Sequence, residues 1–201
     1  MKLYYKPGAC SLSPHIVAHE AGLAVQAVKV DLVTKTLEDG SDYRAVAPRG
    51  QVPALLLDNG ALLTEGAVIV QYLADQAPDS GLLPPAGSFE RYKVQEWLNF
   101  IGSEIHKSYS PLFRPDTPEA YKPIARANVA AKLAVLDAAL AGKPYLTGDT
   151  FTVADAYAYT VSRWAGHAGV DVGGLANLKA FAARVADRPA VRAALAAEGL
   201  A

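Results

Sequence analysis

Four short stretches of the chain hold residue types that could do chemistry together. Cys10 is the only cysteine among 201 residues, and Cys10-Ser11-Leu12-Ser13 is a redox-type C-x-x-C pattern with serine at the second thiol position. It follows the break Pro7-Gly8-Ala9 and precedes an amphipathic run from Ile16 to Leu23, so the sulfur is expected at the mouth of a helix. Unpaired N–H groups and the positive end of the helix dipole gather there and favour a thiolate. A small buried residue is the competing reading. The flanking Ser and Pro residues, which are helix-start signals, favour the functional one.

In Gln51-Val52-Pro53-Ala54, proline lacks an N–H and pushes Val52 into an extended conformation. Val52 could then offer both backbone groups to a peptide-like ligand, unless Pro53 is an ordinary edge-strand proline. Glu65-Gly66 opens a helix. Its backbone N–H groups can hold a ligand carboxylate and the Glu65 side chain a ligand ammonium, or Glu65 simply complements the dipole. Further on, Asn99, Ser103 and His106 share one narrow stripe at helical spacing, flanked by Lys107, with Val94, Trp97, Ile101 and Ile105 opposite. This is either a solvent face or a site in which His106 donates a hydrogen bond to a thiolate or titrates near neutrality. Tyr109, Phe113, Tyr157 and Trp164 recur at helical spacings, as core residues or as the lining of an apolar cleft. His15 and His19 stand four apart but lack the usual metal-site companions, so no metal is expected. Neither a Walker-type phosphate loop nor a serine nucleophile elbow is present.

The elements that must position these residues alternate in type over residues 1–77. A strand at Lys2–Tyr5 leads into a helix from Ser11 to Ala21 that ends at Gly22. Val25–Val30 alternates with period two, as a half-buried strand does, and a short helix is expected around Tyr43–Ala47. Asn59-Gly60 between two apolar runs predicts a hairpin with a type I′ turn. Thr64-Glu65-Gly66 then starts a helix with Val68, Ile69, Tyr72 and Leu73 on one side. The reading is α/β for residues 1–80, a Pro- and Gly-rich linker at 81–87, and an all-α domain over 88–201. Helices are expected near 88–113, 118–141, 153–166, 175–187 and 189–198. Thr152-Val153-Ala154-Asp155 matches a capping box at the start of the third. A formal net charge of −1 leaves no footprint for nucleic acid or an anionic membrane. No apolar run approaches the ~20 residues that span a bilayer. With one cysteine and no apolar leader, a cytoplasmic location is expected.

Taken jointly, MKLYYKPGACSLSPHI at the start, Gly50-Gln51-Val52-Pro53-Ala54-Leu55, the helix from Thr64 to Asp75 and the Thr152–Tyr157 capping box resemble the glutathione S-transferases, specifically the bacterial beta class. The resemblance runs essentially end to end. It implies a thioredoxin-like N-terminal domain, an all-helical C-terminal domain, a homodimer, and glutathione as co-substrate for conjugation to small hydrophobic electrophiles in detoxification. It implies that Val52-Pro53 is cis and that Val52 pairs with the cysteinyl backbone of glutathione. Glu65 and Gly66 would hold the γ-glutamyl end and Lys35 the glycine carboxylate. Asn99, the stretch Ser103-Glu104-Ile105-His106 and Lys107 would come from the helical domain, with Glu104 able to reach across a dimer interface. Cys10 would face the glutathione sulfur, with His106 assisting. Two other activities fit the same residues: thiol–disulfide exchange through a Cys10 mixed disulfide, and non-catalytic carriage of hydrophobic ligands. One departure is plain, since the family usually has serine where this chain has Gly66. The missing hydroxyl is expected to weaken glutathione binding, because a hydrogen bond to a charged group is worth roughly 1.5–3 kcal/mol.

Overall fold

Apolar alternation near the N-terminus and helical periodicity after the linker build two different kinds of core. A computed structural model describes residues Met1–Ala201. In chain order its elements are β1 (Lys2–Tyr5), α1 (Leu12–Glu20), β2 (Gln26–Asp31), β3 (Thr36–Leu37), β4 (Ala54–Leu56), β5 (Leu62–Thr64) and α2 (Gly66–Asp75). There follow α3 (Phe89–Phe100), a π-helical stretch at Ile101–His106, α4 (Ser110–Phe113), α5 (Lys122–Ala139), α6 (Val153–Ser162), α7 (Trp164–Ala168), α8 (Ala176–Ala186) and α9 (Pro189–Ala197). The chain divides into two compact units, Met1–Leu83 with Asp187–Ala201, and Pro84–Ala186.

In the first unit the strands order as β3-β2-β1-β4-β5. β1 runs parallel to β2, with Leu3 opposite Ala27, and antiparallel to β4, with Leu3 opposite Leu55. The β1-α1-β2 crossover followed by a β4–β5 hairpin and α2 is the thioredoxin-like arrangement. Leu3, Leu12, Ile16, Leu55, Ile69 and Leu73 are fully buried between sheet and helices. A second cluster, Tyr4, Val30, Tyr43, Ala47, Val52 and Ala54, anchors the segment that carries Val52. On α2 the buried residues are Ile69, Val70, Leu73 and Ala74, whereas Val68 is 45% exposed, so the inner face lies slightly further round than its apolar spacing predicts.

The hairpin forms where Asn59-Gly60 predicts it, but not as a type I′ turn. Gly60 has φ +84°, while Lys35 and Glu65 are the two non-glycine residues with positive φ, so Asn59 keeps an ordinary φ. Gly60 N–H donates to Leu57 O and Leu57 N–H to Ala61 O. This is a three-residue loop closed by a left-handed glycine, in which only one position needs positive φ. The 189–198 helix forms as expected, as Pro189–Ala197, but packs elsewhere than its composition suggests. Residues 187–201, grouped by composition with the helical domain, cluster with the first unit instead. α9 packs on α1, and Arg188 forms a forked pair with Glu20 at 2.6 and 2.7 Å.

The second unit is all helix. Val94, Leu98, Ile101 and Ile105 bury one side of α3 and the π-helical stretch, with Trp97 only half-buried. They meet α5 and α6, whose Val129, Leu133, Val153 and Val161 are fully buried. Both halves of the Thr152–Asp155 capping box are present. No helix is long and apolar enough to cross a membrane.

Candidate active site

In the first unit, three loops bring candidate residues together. Cys10 sits just before α1, and its sulfur donates to Val52 O at 3.3 Å. The Val52-Pro53 bond is cis. The Pro53 ring lies beside the start of α2, where a Cβ added at Gly66 would be 3.6 Å from Pro53 Cγ. Glu65, the residue before α2, has φ +69°, and Lys35 has φ +62°. Left-handed conformations cost a side-chain-bearing residue about 1–3 kcal/mol, and they collect at ligand clamps. The Lys35 ammonium donates to Gly50 O at 2.9 Å, two residues from Val52. The Glu65 carboxylate pairs with Arg49 at 3.0 Å, and the same guanidinium donates to Thr64 Oγ1 at 2.6 Å. Cys10, Lys35, Val52, Glu65 and Gly66 are therefore linked through Val52, Pro53 and Gly50.

The expected helix-start thiolate is not what this environment produces. The N–H groups of Cys10 and Ser11 do pull the thiol down, but burial outweighs them, Glu65 adds its negative charge, and the pKa is pushed up to about 12. Cys10 stays a neutral S–H that donates to a carbonyl. Desolvation wins because a thiolate here would lose its hydration for only two backbone donors. The loop around it is tightly tied. Lys6 N–H donates to Ser11 Oγ, Ser11 Oγ–H donates to Lys6 O, and Ser13 Oγ–H donates to Cys10 O at 2.9 Å.

In the second unit the candidate residues centre on His106 within the π-helical stretch. A π-turn takes an extra residue, so a stripe read at 100° per residue does not persist across it. Asn99 and Ser103 stay together and exposed, Ser103 Oγ–H donating to Asn99 O at 2.9 Å. His106 turns instead to Tyr157, with Nδ1 and the phenol oxygen 2.6 Å apart. Its ring also lies edge-on to Trp164, at 4.9 Å between centroids. Glu104 pairs with Lys132 of the same chain, and Ile105 is wholly buried, so Ile105 can offer a ligand only its backbone. Lys107 is exposed.

The four aromatics do come together, although mainly as packing. Tyr109 stacks on Phe113 at 5.7 Å, and both meet Trp164 edge-on. Tyr109 is 0% exposed and Tyr157 4%, the core alternative of their two readings; Phe113, at 47%, presents a face. His15, offered and set aside as a metal ligand, bonds through Nδ1 to Glu198 Oε1 at 2.9 Å and packs against His19 at 5.1 Å. Burial and His15 both push the His19 pKa down.

Two contributors are missing from the sequence reading. Arg49 holds Glu65, and Glu198 also accepts Gly8 N–H at 2.9 Å, tying α9 to the loop that carries Cys10. Glu198 and His15 are 183 positions apart, so no local pattern could pair them. Arg49, close to Glu65 in sequence, gave only a generic charge signal.

Comparison with known proteins agrees with this geometry. The glutathione S-transferase N-terminal domain family matches residues 8–76, and the C-terminal domain family residues 100–189. Glutathione S-transferase GstA of Escherichia coli O157:H7 is 56% identical over 100% of both chains. A sphingomonad glutathione S-transferase solved in complex with glutathione is 49% identical, with TM-score 0.96 and 100% of both chains covered. A bacterial beta-class glutathione S-transferase of Sphingomonas chungbukensis is 47% identical, with TM-score 0.97 and the same full coverage. With both domain families matched and full-length relatives on every side, the chain belongs to the glutathione S-transferase family, in its bacterial beta class, and is a glutathione transferase.

Proposed function

We propose that this transferase joins the glutathione sulfur to small hydrophobic electrophiles, as a cytoplasmic homodimer serving detoxification. The observation that carries this reading is the Cys10 thiol donating to the Val52 carbonyl, beside Pro53 and the start of α2. That carbonyl is the acceptor a peptide N–H would seek. When the cysteinyl N–H of glutathione takes it, the Cys10 S–H is released and can donate to the glutathione sulfur. Gly66 N–H at the start of α2 and the Glu65 carboxylate hold the γ-glutamyl end, and Lys35 holds the glycine carboxylate. Asn99, Ser103, Glu104, the Ile105 backbone, His106 and Lys107 belong to the helical contribution, and Phe113 and Trp164 offer apolar surface to the electrophile.

The step follows from these donors. A glutathione thiol loses its proton to solvent, and its thiolate is stabilised by S–H and N–H donors. The thiolate then attacks an electrophilic carbon. A carbon–sulfur bond forms, and in a substitution the leaving group departs with the bonding electron pair. Holding both reactants in place contributes through proximity. Thiol–disulfide exchange would need Cys10 as a nucleophile, and a thiol pushed up to about 12 is a poor one at neutral pH. Assaying glutathione consumption across a panel of aryl halides, epoxides and enones tests the proposal. Conjugation that persists at a reduced rate in Cys10→Ala supports it; no turnover with any of the panel refutes it. Ligand binding indifferent to glutathione, with no turnover, would indicate a carrier.

A further inference from the structure

The His106–Tyr157 pair lies wholly within the helical unit, and its chemistry extends beyond packing. Tyr157 sits in α6, where every residue from Val153 to Val161 is buried, so its ring is held by its surroundings. Its hydroxyl is 2.6 Å from His106 Nδ1, with the two rings edge-on at 88°. The π-helical stretch comes close to this hydroxyl: a Cβ added at Gly102 would lie 3.6 Å from the Tyr157 oxygen. That spacing is an ordinary van der Waals contact, so the turn carrying His106 lies directly against the phenol.

We propose that Tyr157 is a positioning residue that donates its hydroxyl proton to His106 Nδ1 and so sets the ring in the tautomer bearing its proton on Nε2. A phenol O–H is more acidic than a neutral imidazole N–H, and the unprotonated ring nitrogen is the better acceptor of the two heteroatoms. With Nδ1 occupied as an acceptor, Nε2–H becomes the donor nitrogen of the neutral ring. A neutral donor suits a developing thiolate and needs no protonated histidine. The edge-on Trp164 ring then limits rotation of the imidazole. The kinetic consequence rests on the glutathione-transfer reading of His106; the tautomer itself does not.

The test begins with nitrogen-15 correlation spectra of the full-length protein, which distinguish protonated from unprotonated ring nitrogens. The four histidines are assigned with His106→Ala. The wild type is expected to show the Nε2-protonated tautomer, and Tyr157→Phe, which keeps the ring, a mixture. In conjugation assays Tyr157→Phe is expected to lower kcat about tenfold, as loss of one oriented donor would, with KM for glutathione moving less than about twofold. In a His106→Ala background the same substitution should then have no further effect. An Nδ1-protonated ring in the wild type overturns the proposal, and the wild-type spectrum alone decides this if Tyr157→Phe does not fold. An equal loss of kcat with and without His106 also overturns it, because Tyr157 would then act only as packing. A wild type that conjugates nothing contradicts the transferase mechanism while the spectra still decide the tautomer.

Discussion

At Gly66 a single missing hydroxyl has a measurable consequence. An added Cβ would lie 3.6 Å from Pro53 Cγ, an ordinary contact, so serine fits without moving the cis-proline wall. Its hydroxyl would add a hydrogen bond to a ligand carboxylate, worth roughly 1.5–3 kcal/mol. Gly66→Ser is expected to tighten the glutathione dissociation constant by about tenfold or more, read by isothermal titration calorimetry. An unchanged constant would mean the backbone N–H already satisfies the carboxylate. Tyr109 is the reverse case, a hydroxyl with nothing to bond. It is buried without a hydrogen-bond partner, and burial pushes its phenol well above the usual range. Tyr109→Phe keeps the stack on Phe113 and removes the unpaired oxygen. The midpoint of urea unfolding should rise, corresponding to about 1 kcal/mol of added stability. A lower midpoint would show that the hydroxyl has a partner in solution.

Among the elements, α9 and α6 each depend on one buried carboxylate. Glu198 follows α9, is 5% exposed, and receives both His15 and Gly8 N–H. Removing it with Glu198→Ala takes the acceptor from the buried His15 ring and one acceptor from Gly8 N–H, and leaving a buried polar group without its partner costs about 1–3 kcal/mol. Chemical denaturation should show that loss, and amide exchange at Gly8 should accelerate; unchanged protection at Gly8 would contradict the proposed tie between α9 and the Cys10 loop. At the start of α6, Asp155 accepts from Leu146 N–H, Thr152 N–H and Thr152 Oγ–H. Burial nevertheless pushes its carboxyl up to about 6. Between about pH 4 and pH 6 the folded protein holds a proton that the unfolded chain has released, so this group's contribution falls as pH rises through that window. Wild type measured against Asp155→Asn should therefore lose on the order of 3 kcal/mol of relative stability from pH 4 to pH 7. A flat difference would show that the three donors outweigh burial.

Across the whole molecule, what was legible in the sequence was local. Asn59-Gly60 marks its hairpin, Thr152 and Asp155 mark a helix start, and the β-α-β order of the first seventy-odd residues follows from changes in period. The remainder depends on contacts distant in sequence or on fine backbone geometry. Glu198 meets His15 from the far end of the chain, and the extra residue of the π-turn redirects His106 toward Tyr157. Positive φ at Lys35 and Glu65 leaves no compositional mark, because neither is glycine. Cys10 shows the difference most clearly: its neighbours in sequence argue for a thiolate, while its neighbours in space keep the proton on.

That contrast can be measured directly, because Cys10 is the only cysteine in the chain. Ultraviolet thiolate absorbance of the free protein, titrated between about pH 6 and pH 9, reports on this one residue. No thiolate signal is expected from the free wild type in that range. A signal should appear on adding glutathione and still form in Cys10→Ala, because the ionised sulfur belongs to glutathione. A thiolate already present in the free wild type and absent from Cys10→Ala would contradict this and make Cys10 itself the nucleophile.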